Sequence, residues 1–84
     1  MDHHVDIVNE LGSILRGEHP AWRGDRRANG GLFLRIIRDD MPGLAAALAD
    51  DLRRNLNDFA ELSEVSPRTL TLAAMVLSGD TIDL

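Results

Sequence analysis

This sequence of 84 residues contains no cysteine and no lysine, and none of its apolar runs is as long as a membrane span. Without cysteine, neither disulfides nor a thiolate metal site can stabilise a small core, so stability depends on packing or on a partner. A membrane span needs about 20 consecutive apolar residues. The N-terminus, Met1-Asp2-His3-His4, is also unlike a secretory signal. We therefore expect one cytoplasmic domain that does not enter a membrane.

Side chains suited to metal binding or catalysis are sparse. The histidines are His3, His4 and His19, and two adjacent histidines at a terminus do not converge as ligands on one helical face. We interpret His3 and His4 as part of a frayed polar terminus. The serines fall at helix caps or helix surfaces, and a short helical chain rarely encloses a catalytic pocket. We predict no metal, no cofactor, no enzymatic activity and no small-molecule substrate.

Charge is distributed unevenly along the chain. The formal net charge is −5 and the pI about 4.9, which does not favour general attraction to a polyanion. Residues 16–38 nevertheless hold six arginines and two carboxylates, whereas residues 57–84 hold one arginine and five carboxylates. The pairs Asp39-Asp40 and Asp50-Asp51 could serve acid–base chemistry, but we interpret them as a helix cap and a solvated helix face.

Apolar residues recur at spacings of three and four along most of the chain, which is the period of amphipathic helices. No segment alternates as a strand does. The pattern predicts an all-α fold, a compact bundle of about five short helices in a single domain over residues 1–84. The expected segments are a first helix over 4–16, a basic loop over 17–28, a second helix over 29–40, a third over 42–55, and a pair of helices over 57–79.

Glycine, proline and capping residues mark the expected boundaries. Gly17 ends the first helix, and Pro42 begins the third, with Asp40 as its expected cap. Asn57 is the expected cap of the short fourth helix. The last helix opens with Ser66-Pro67, a cap residue followed by proline, and closes at Gly79.

The second helix contains two kinds of side chain that separate at helical spacing. Leu32, Phe33, Ile36, Ile37 and Asp40 keep the 3.6-residue period, and Arg35 and Arg38 fall together on the other face. This spacing favours a helix over a strand.

Residues 57–79 contain a pattern of small and apolar residues suited to two helices that cross closely. Phe59-Ala60 lies on the first helix of the pair, Val65-Ser66 follows the turn, and Thr69-Leu70 lies on the second helix. The alanine permits close approach, and the valine and leucine hold the corner. This pattern resembles the helix-turn-helix of the lambda-repressor-like (Xre-type) regulators. The resemblance implies DNA contacts from the second helix, at Ser66, Arg68, Thr69 and Thr71.

Two features depart from that family pattern. Glu64 occupies the turn position where the family usually has glycine, and a left-handed residue other than glycine costs about 1 kcal/mol. Of the side chains expected to face a DNA groove, only Arg68 could contact phosphate or guanine strongly. Phosphate contacts supply most of the affinity in such complexes. The charge of this segment therefore argues against DNA binding.

The last helix is apolar nearly all round. Such a helix is hard to cover in a chain this short, so we expect residues 69–77 to form part of a homodimer or other protein interface. The expected contacts are Leu72, Met75 and Val76. The alternative is that this helix is the central element of the core.

The loop between the first two helices combines a tryptophan with several arginines. Trp22, Arg23, Arg26 and Arg27 have a composition that is enriched in binding hot spots and in nucleic-acid contacts. Alternatively, Trp22 folds back between the first and second helices and only the arginines face solvent.

Two functions follow from these features. The first is a small non-enzymatic regulatory protein that binds a macromolecular partner, a protein or a second copy of itself as a homodimer. Small acidic helical proteins of phages and mobile elements, such as inhibitors and antitoxins, are similar in size and charge, which is an analogy only. The alternative is a helix-turn-helix transcriptional regulator on operator DNA, with Arg23, Arg26 and Arg27 reaching phosphates.

Overall fold

A computed structural model describes residues 2–82 and residue 84, without the side chain of Asp2; Met1 and Asp83, the latter one of the acidic residues near the C-terminus, lie outside the described residues. The described chain forms five helices and no strand: α1 (Asp2–Leu15), α2 (Arg26–Asp40), α3 (Pro42–Arg54), α4 (Leu56–Ser63) and α5 (Pro67–Leu77). The prediction of an all-α bundle of short helices is confirmed. The bundle measures 30 × 26 × 21 Å.

Helix α2 begins three residues earlier than the sequence predicted. The carboxylate of Asp25 accepts hydrogen bonds from the backbone N–H groups of Arg27 and Ala28, at 3.0 and 3.2 Å, and so caps the helix. Arg26 and Arg27 therefore lie in the first turn of α2 and not in the loop, which is limited to residues 16–25.

Two of the predicted caps are wrong. Asp40 is the last residue of α2. The backbone hydrogen bonds of this helix continue to Met41, whose N–H donates to the carbonyl of Ile37, so Asp40 does not cap α3. Asn57 lies inside α4, which begins at Leu56. In each case the residue expected to cap a helix is itself part of a helix.

The boundaries of α5 agree with the sequence pattern. Ser66 Oγ accepts a hydrogen bond from Thr69 N–H at 3.2 Å, and Pro67 occupies the first turn. Gly79 follows the helix with φ +97°. Glu64 ends α4 in the left-handed conformation, with φ 56° and ψ 31°, and it is the one residue other than glycine with positive φ in the described chain.

Helix α5 is the centre of the core, packed against α2, α3 and α4. Its buried side chains are Leu70, Ala73, Ala74, Val76 and Leu77. Helices α2, α3 and α4 cover these five side chains, whereas Leu72 and Met75 stay half-buried. Helix α5 is therefore a central element of the core, as the alternative interpretation of the last helix expected.

Helix α1 packs on α2 on one side and on α4 on the other. Its contact with the end of α4 depends on Gly12, which is buried. A Cβ atom at Gly12 would lie 3.0 Å from Val65 Cγ2 and 3.1 Å from the carbonyl oxygen of Ser63. The same carbonyl accepts a hydrogen bond from Arg16 Nη1 at 3.1 Å.

The first turn of α1 is also attached to α3. His4 Nδ1 lies 2.7 Å from Asp51 Oδ2, and the two side chains are 17% and 12% exposed. Asn55 Nδ2 donates to the other carboxylate oxygen at 2.8 Å. The interpretation of His4 as part of a frayed terminus is therefore wrong, as is that of Asp51 as solvated. Asp50 is exposed as expected and pairs with Arg54 at 3.1 Å.

Substitution of Gly12 tests the close approach of α1 and α4. We expect Gly12→Ala to lower the free energy of unfolding by about 1 kcal/mol, because the added methyl group meets Arg16 Nη1 at 2.9 Å, Val65 and the Ser63 carbonyl, and this overpacking outweighs the gain in helix propensity. Gly43→Ala is the matched control, since no atom lies within 4 Å of a Cβ at that position of α3. The control should raise stability by up to about 1 kcal/mol through helix propensity. Equal urea midpoints for Gly12→Ala and the wild type would contradict this packing.

The His4–Asp51 contact predicts how stability depends on acidity. The hydrogen bond from His4, opposed by burial and assisted by Asn55, holds the pKa of Asp51 below its ordinary value of 3.8. Because the folded-state pKa is the lower one, the contribution of Asp51 is present above the ordinary pKa and is lost as pH falls through the folded-state pKa. We expect Asp51→Asn to be destabilised near neutral pH by about 1–3 kcal/mol.

The same variant should lose less stability than the wild type between about pH 5 and pH 3, because it no longer has this carboxylate to protonate. Asp50→Asn, at the neighbouring exposed position, should keep the acid dependence of the wild type. Urea titrations across this pH range supply the measurement, and parallel curves for Asp51→Asn and the wild type would exclude the contact.

Candidate protein-binding surface

Helix α2 has apolar side chains on the side that faces away from the bundle. Leu32 is 43% exposed and Ile36, one turn later, is 41% exposed. The buried residues of the same helix are Gly30, Gly31, Leu34 and Ile37. The apolar residues at helical spacing are thus divided, with Ile37 in the core and Leu32 and Ile36 outside. Gly30 and Gly31 share the buried side of α2 with Leu34 and Ile37.

Trp22 extends this apolar surface beyond the helix. Its ring meets the ring of Phe33 edge to face, with centroids 6.2 Å apart and planes at 84°. Both side chains are half-buried. Trp22 therefore neither stands free in solvent nor fills the core between α1 and α2. We call the surface formed by Trp22, Leu32, Phe33 and Ile36 the α2 face.

The loop that carries Trp22 is held by hydrogen bonds at both ends. His19 Nδ1 accepts from Ala21 N–H at 3.2 Å, so the neutral imidazole carries its proton on Nε2, which lies 3.0 Å from Glu10 Oε1. At the other end, Asn29 Nδ2 donates to the carbonyl of Arg23 at 2.9 Å. A surface held in place before binding loses less conformational entropy when a partner arrives.

Two arginines lie beside Trp22. Arg23, Arg26 and Arg27 are all exposed, and none of the ion pairs within the described residues involves them. The Arg26 guanidinium lies against Gly17, and it lines a shallow groove together with Trp22 and Arg23, whereas Arg27 lines a separate groove. A partner contact at Trp22, Arg23, Arg26 and Arg27 stays a prediction.

The opposite end of α2 carries charges of both signs. Asp39 and Asp40 are exposed in its last turn, and Arg38 Nε donates to Asp39 at 2.9 Å. This hydrogen bond lowers the pKa of Asp39 below its ordinary value of 3.8. Arg35, which lies between Leu32 and Ile36 in the chain, is also exposed. The α2 face therefore lies between a basic end and an end of mixed charge.

The contacts expected on α5 are only partly accessible. Val76 is 1% exposed and packs in the core, so its assignment to a partner interface is wrong in this conformation. Leu72 and Met75 are half-buried on the outer side of α5. A partner contact at Leu72 and Met75 stays a prediction, although the fold no longer requires one.

The candidate DNA contacts lie at the start of α5. Ser66 Oγ lies 2.8 Å from Thr69 Oγ1, and Thr71 Oγ1 donates to the carbonyl of Pro67 at 2.9 Å. These three hydroxyl groups are thus engaged within their own helix. Arg68 is exposed and takes part in no ion pair of the described chain. A single guanidinium is left to contact phosphate on this helix.

A second apolar feature lies between α1 and α4. Leu62, which is 64% exposed, lines an open groove of about 410 Å³ together with Val5 and Phe59. Asp58 and Glu61 form its acidic edge. Only one large apolar side chain is highly exposed there, whereas the α2 face places several side chains side by side.

Comparisons with family models, curated proteins and solved structures found no match to this chain. In the residues that the structure describes, no group of three or more histidine, aspartate or glutamate side chains could hold a metal ion. No described helix has the length and apolar content needed to cross a bilayer.

Leu32 and Ile36 were not identified as surface residues from the sequence. A signal was present in Asn29-Gly30-Gly31, which precedes them on the same helix. Gly30 leaves room for the Leu15 side chain, whose Cδ2 lies 2.7 Å from where a Cβ would stand, so the glycine side of α2 faces the core and Leu32 and Ile36 face outward.

The fluorescence of Trp22 tests the support of this loop, because it is the one tryptophan in the sequence. We expect His19→Ala to move its emission to longer wavelength, since loss of the bonds to Glu10 and Ala21 lets the ring leave Phe33. Helical circular dichroism should be unchanged. His3→Ala, at an exposed position, is the control. An unshifted emission maximum in His19→Ala would contradict this account of the loop.

Proposed function

We propose that this chain is a small non-enzymatic regulatory protein that acts by binding a protein partner through the α2 face. The observation that carries the proposal is that exposed Leu32 and Ile36 lie on the same helix as Phe33, whose ring meets Trp22, with exposed Arg23 and Arg26 beside Trp22. Aromatic and arginine side chains are the residues most enriched among binding hot spots. A rigid aromatic anchor with charged residues at its edge is typical of such an interface.

The polar side chains of the chain support a role without catalysis. His4 pairs with Asp51, and His19 pairs with Glu10, so both of these imidazoles serve to attach one segment of the fold to another. A regulator of this kind has the size and charge of the inhibitors and antitoxins of phages and mobile elements, and it acts by occupying a surface of its target.

Operator DNA is the second candidate partner. Two features favour this candidate: Glu64 is left-handed at the turn position of the helix-turn-helix resemblance, and Ser66 caps α5. Its charge does not favour DNA, since Asp58, Glu61 and Glu64 lie on or beside α4 and Arg68 stands alone on α5. The protein partner is therefore the function we favour.

A photo-crosslinking amino acid placed at single exposed positions distinguishes these partners. We expect benzoylphenylalanine in place of Ile36 to give protein adducts when cells that naturally produce the chain are irradiated. The same group in place of Leu62, which is more exposed but outside the α2 face, is the matched control and should give few adducts. Adduct masses are read by gel and mass spectrometry.

A third variant carries the crosslinking group in place of Arg68. Nucleic-acid adducts from this position, with none from position 36, would favour the DNA-binding alternative. Protein adducts that form equally from positions 36 and 62 would mean that the α2 face has no special role, and the proposal would be abandoned.

A further inference from the structure

The segment that follows α5 folds back onto the bundle. Beyond Gly79 the described residues form neither helix nor strand, and Ile82 and Leu84 are half-buried against the core. These two side chains line the same groove. Residues two positions apart point to one side of an extended chain, which is the spacing seen here. We call residues 80–84 the tail; Asp83 lies outside the described residues.

The tail is seated where α2 has a glycine. A Cβ atom at Gly30 would lie 2.7 Å from Leu15 Cδ2 and 3.3 Å from Leu84 Cδ1. Leu84 therefore occupies space that a larger residue on α2 would fill. The seat is a cleft between α1 and α2 that accepts a branched apolar side chain.

Few contacts hold the tail in this cleft. The N–H groups of Gly79 and Asp80 donate to carbonyls in the last turn of α5, at 3.0 Å each. Beyond them, no backbone hydrogen bond of the described chain attaches Thr81, Ile82 or Leu84 to another residue. Release of the tail therefore breaks apolar contacts and none of these bonds. Segments that are held by few buried apolar contacts open most readily.

The groove that the tail lines is basic. It has a volume of about 300 Å³, and its charged lining residues in the described chain are Arg27, Arg35 and Asp25. The Asp25 carboxylate is engaged as the cap of α2. The charge of Arg35 also acts on Asp39, one turn later, although Arg38 makes the hydrogen bond to that carboxylate. A segment that combines apolar and acidic residues is complementary to this groove.

We propose that the tail is an internal competitor for a second binding groove, whose external ligand is an extended protein segment with two apolar residues two positions apart and an acidic residue beside them. The tail sequence Ile82-Asp83-Leu84 is itself of this type. A tethered segment has a local concentration in the millimolar range, so the tail excludes weak ligands and yields to strong ones. No residue of the α2 face lines this groove, so the proposed function can fail without affecting it.

A labelled peptide with the tail sequence tests this competition. The probe is fluorescein-labelled Gly-Asp-Thr-Ile-Asp-Leu, titrated with the full chain and followed by fluorescence anisotropy. We expect the double variant Ile82→Ser/Leu84→Ser to bind the probe about tenfold or more tightly than the wild type, because its own tail no longer competes. Thr81→Ala, at an exposed position of the tail, is the matched control and should bind as the wild type does.

The charge of the groove is tested in the double variant. Addition of Arg35→Glu should weaken probe binding by about tenfold, and high salt should reduce this loss, because a carboxylate then faces the aspartates of the peptide. Arg53→Glu changes an exposed arginine of α3 that does not line the groove, and it should leave the affinity unchanged. Equal losses from the two arginine substitutions would contradict a specific role of Arg35.

Helical circular dichroism establishes whether the variants are folded. If the double variant is not helical, Leu84→Ala replaces it, with the same expected direction. A helical variant that binds the probe no more tightly than the wild type would overturn the proposal, as would an equal gain in Thr81→Ala. Binding of the control peptide Gly-Asp-Thr-Ser-Asp-Ser would overturn it too. Loss of helix in both tail variants would show that the tail is an indispensable part of the core, which also excludes the proposal.

Discussion

Helix α5 has apolar side chains around most of its circumference, and α2, α3 and α4 must all pack on it to keep those side chains from water. This requirement determines which apolar residues of the other helices are buried against α5. Helix α2 contributes Leu34 and Ile37 to the core, and what remains apolar on α2 faces outward. The exposed surface that we assign to a protein partner is thus a consequence of how the core is filled.

Local signals in the sequence were sufficient for the fold class, the number of helices and several boundaries. Ser66, Gly17 and Gly79 act within a turn of their own positions, and the structure has each of them where the pattern placed it. The predictions that Asp40 and Asn57 are caps were wrong because these residues lie within α2 and α4. The pairing of His4 with Asp51 joins residues far apart in the chain, and no local pattern contains that information.

The candidate surface was predictable in its charges but not in its apolar part. Arg23, Arg26 and Arg27 are exposed because a guanidinium without an ion-pair partner stays in water. The residue types alone are enough to predict this. Helical periodicity shows that Leu32 and Ile36 share a side of α2, but not which side meets the core. The same ambiguity misassigned Val76, since α5 is apolar in every direction and only the positions of the other helices decide which residues are covered.

The unfavourable electrostatics of α2 connect binding to folding. Arg26, Arg27 and Asp40 oppose the helix dipole, and opposite charges brought by a partner would relieve that penalty. Any molecule that recognises this ordered surface and ignores the unfolded chain shifts the folding equilibrium by mass action. The melting temperature of the protein would then rise with the concentration of whatever binds there, so thermal stability itself becomes an assay for the natural target.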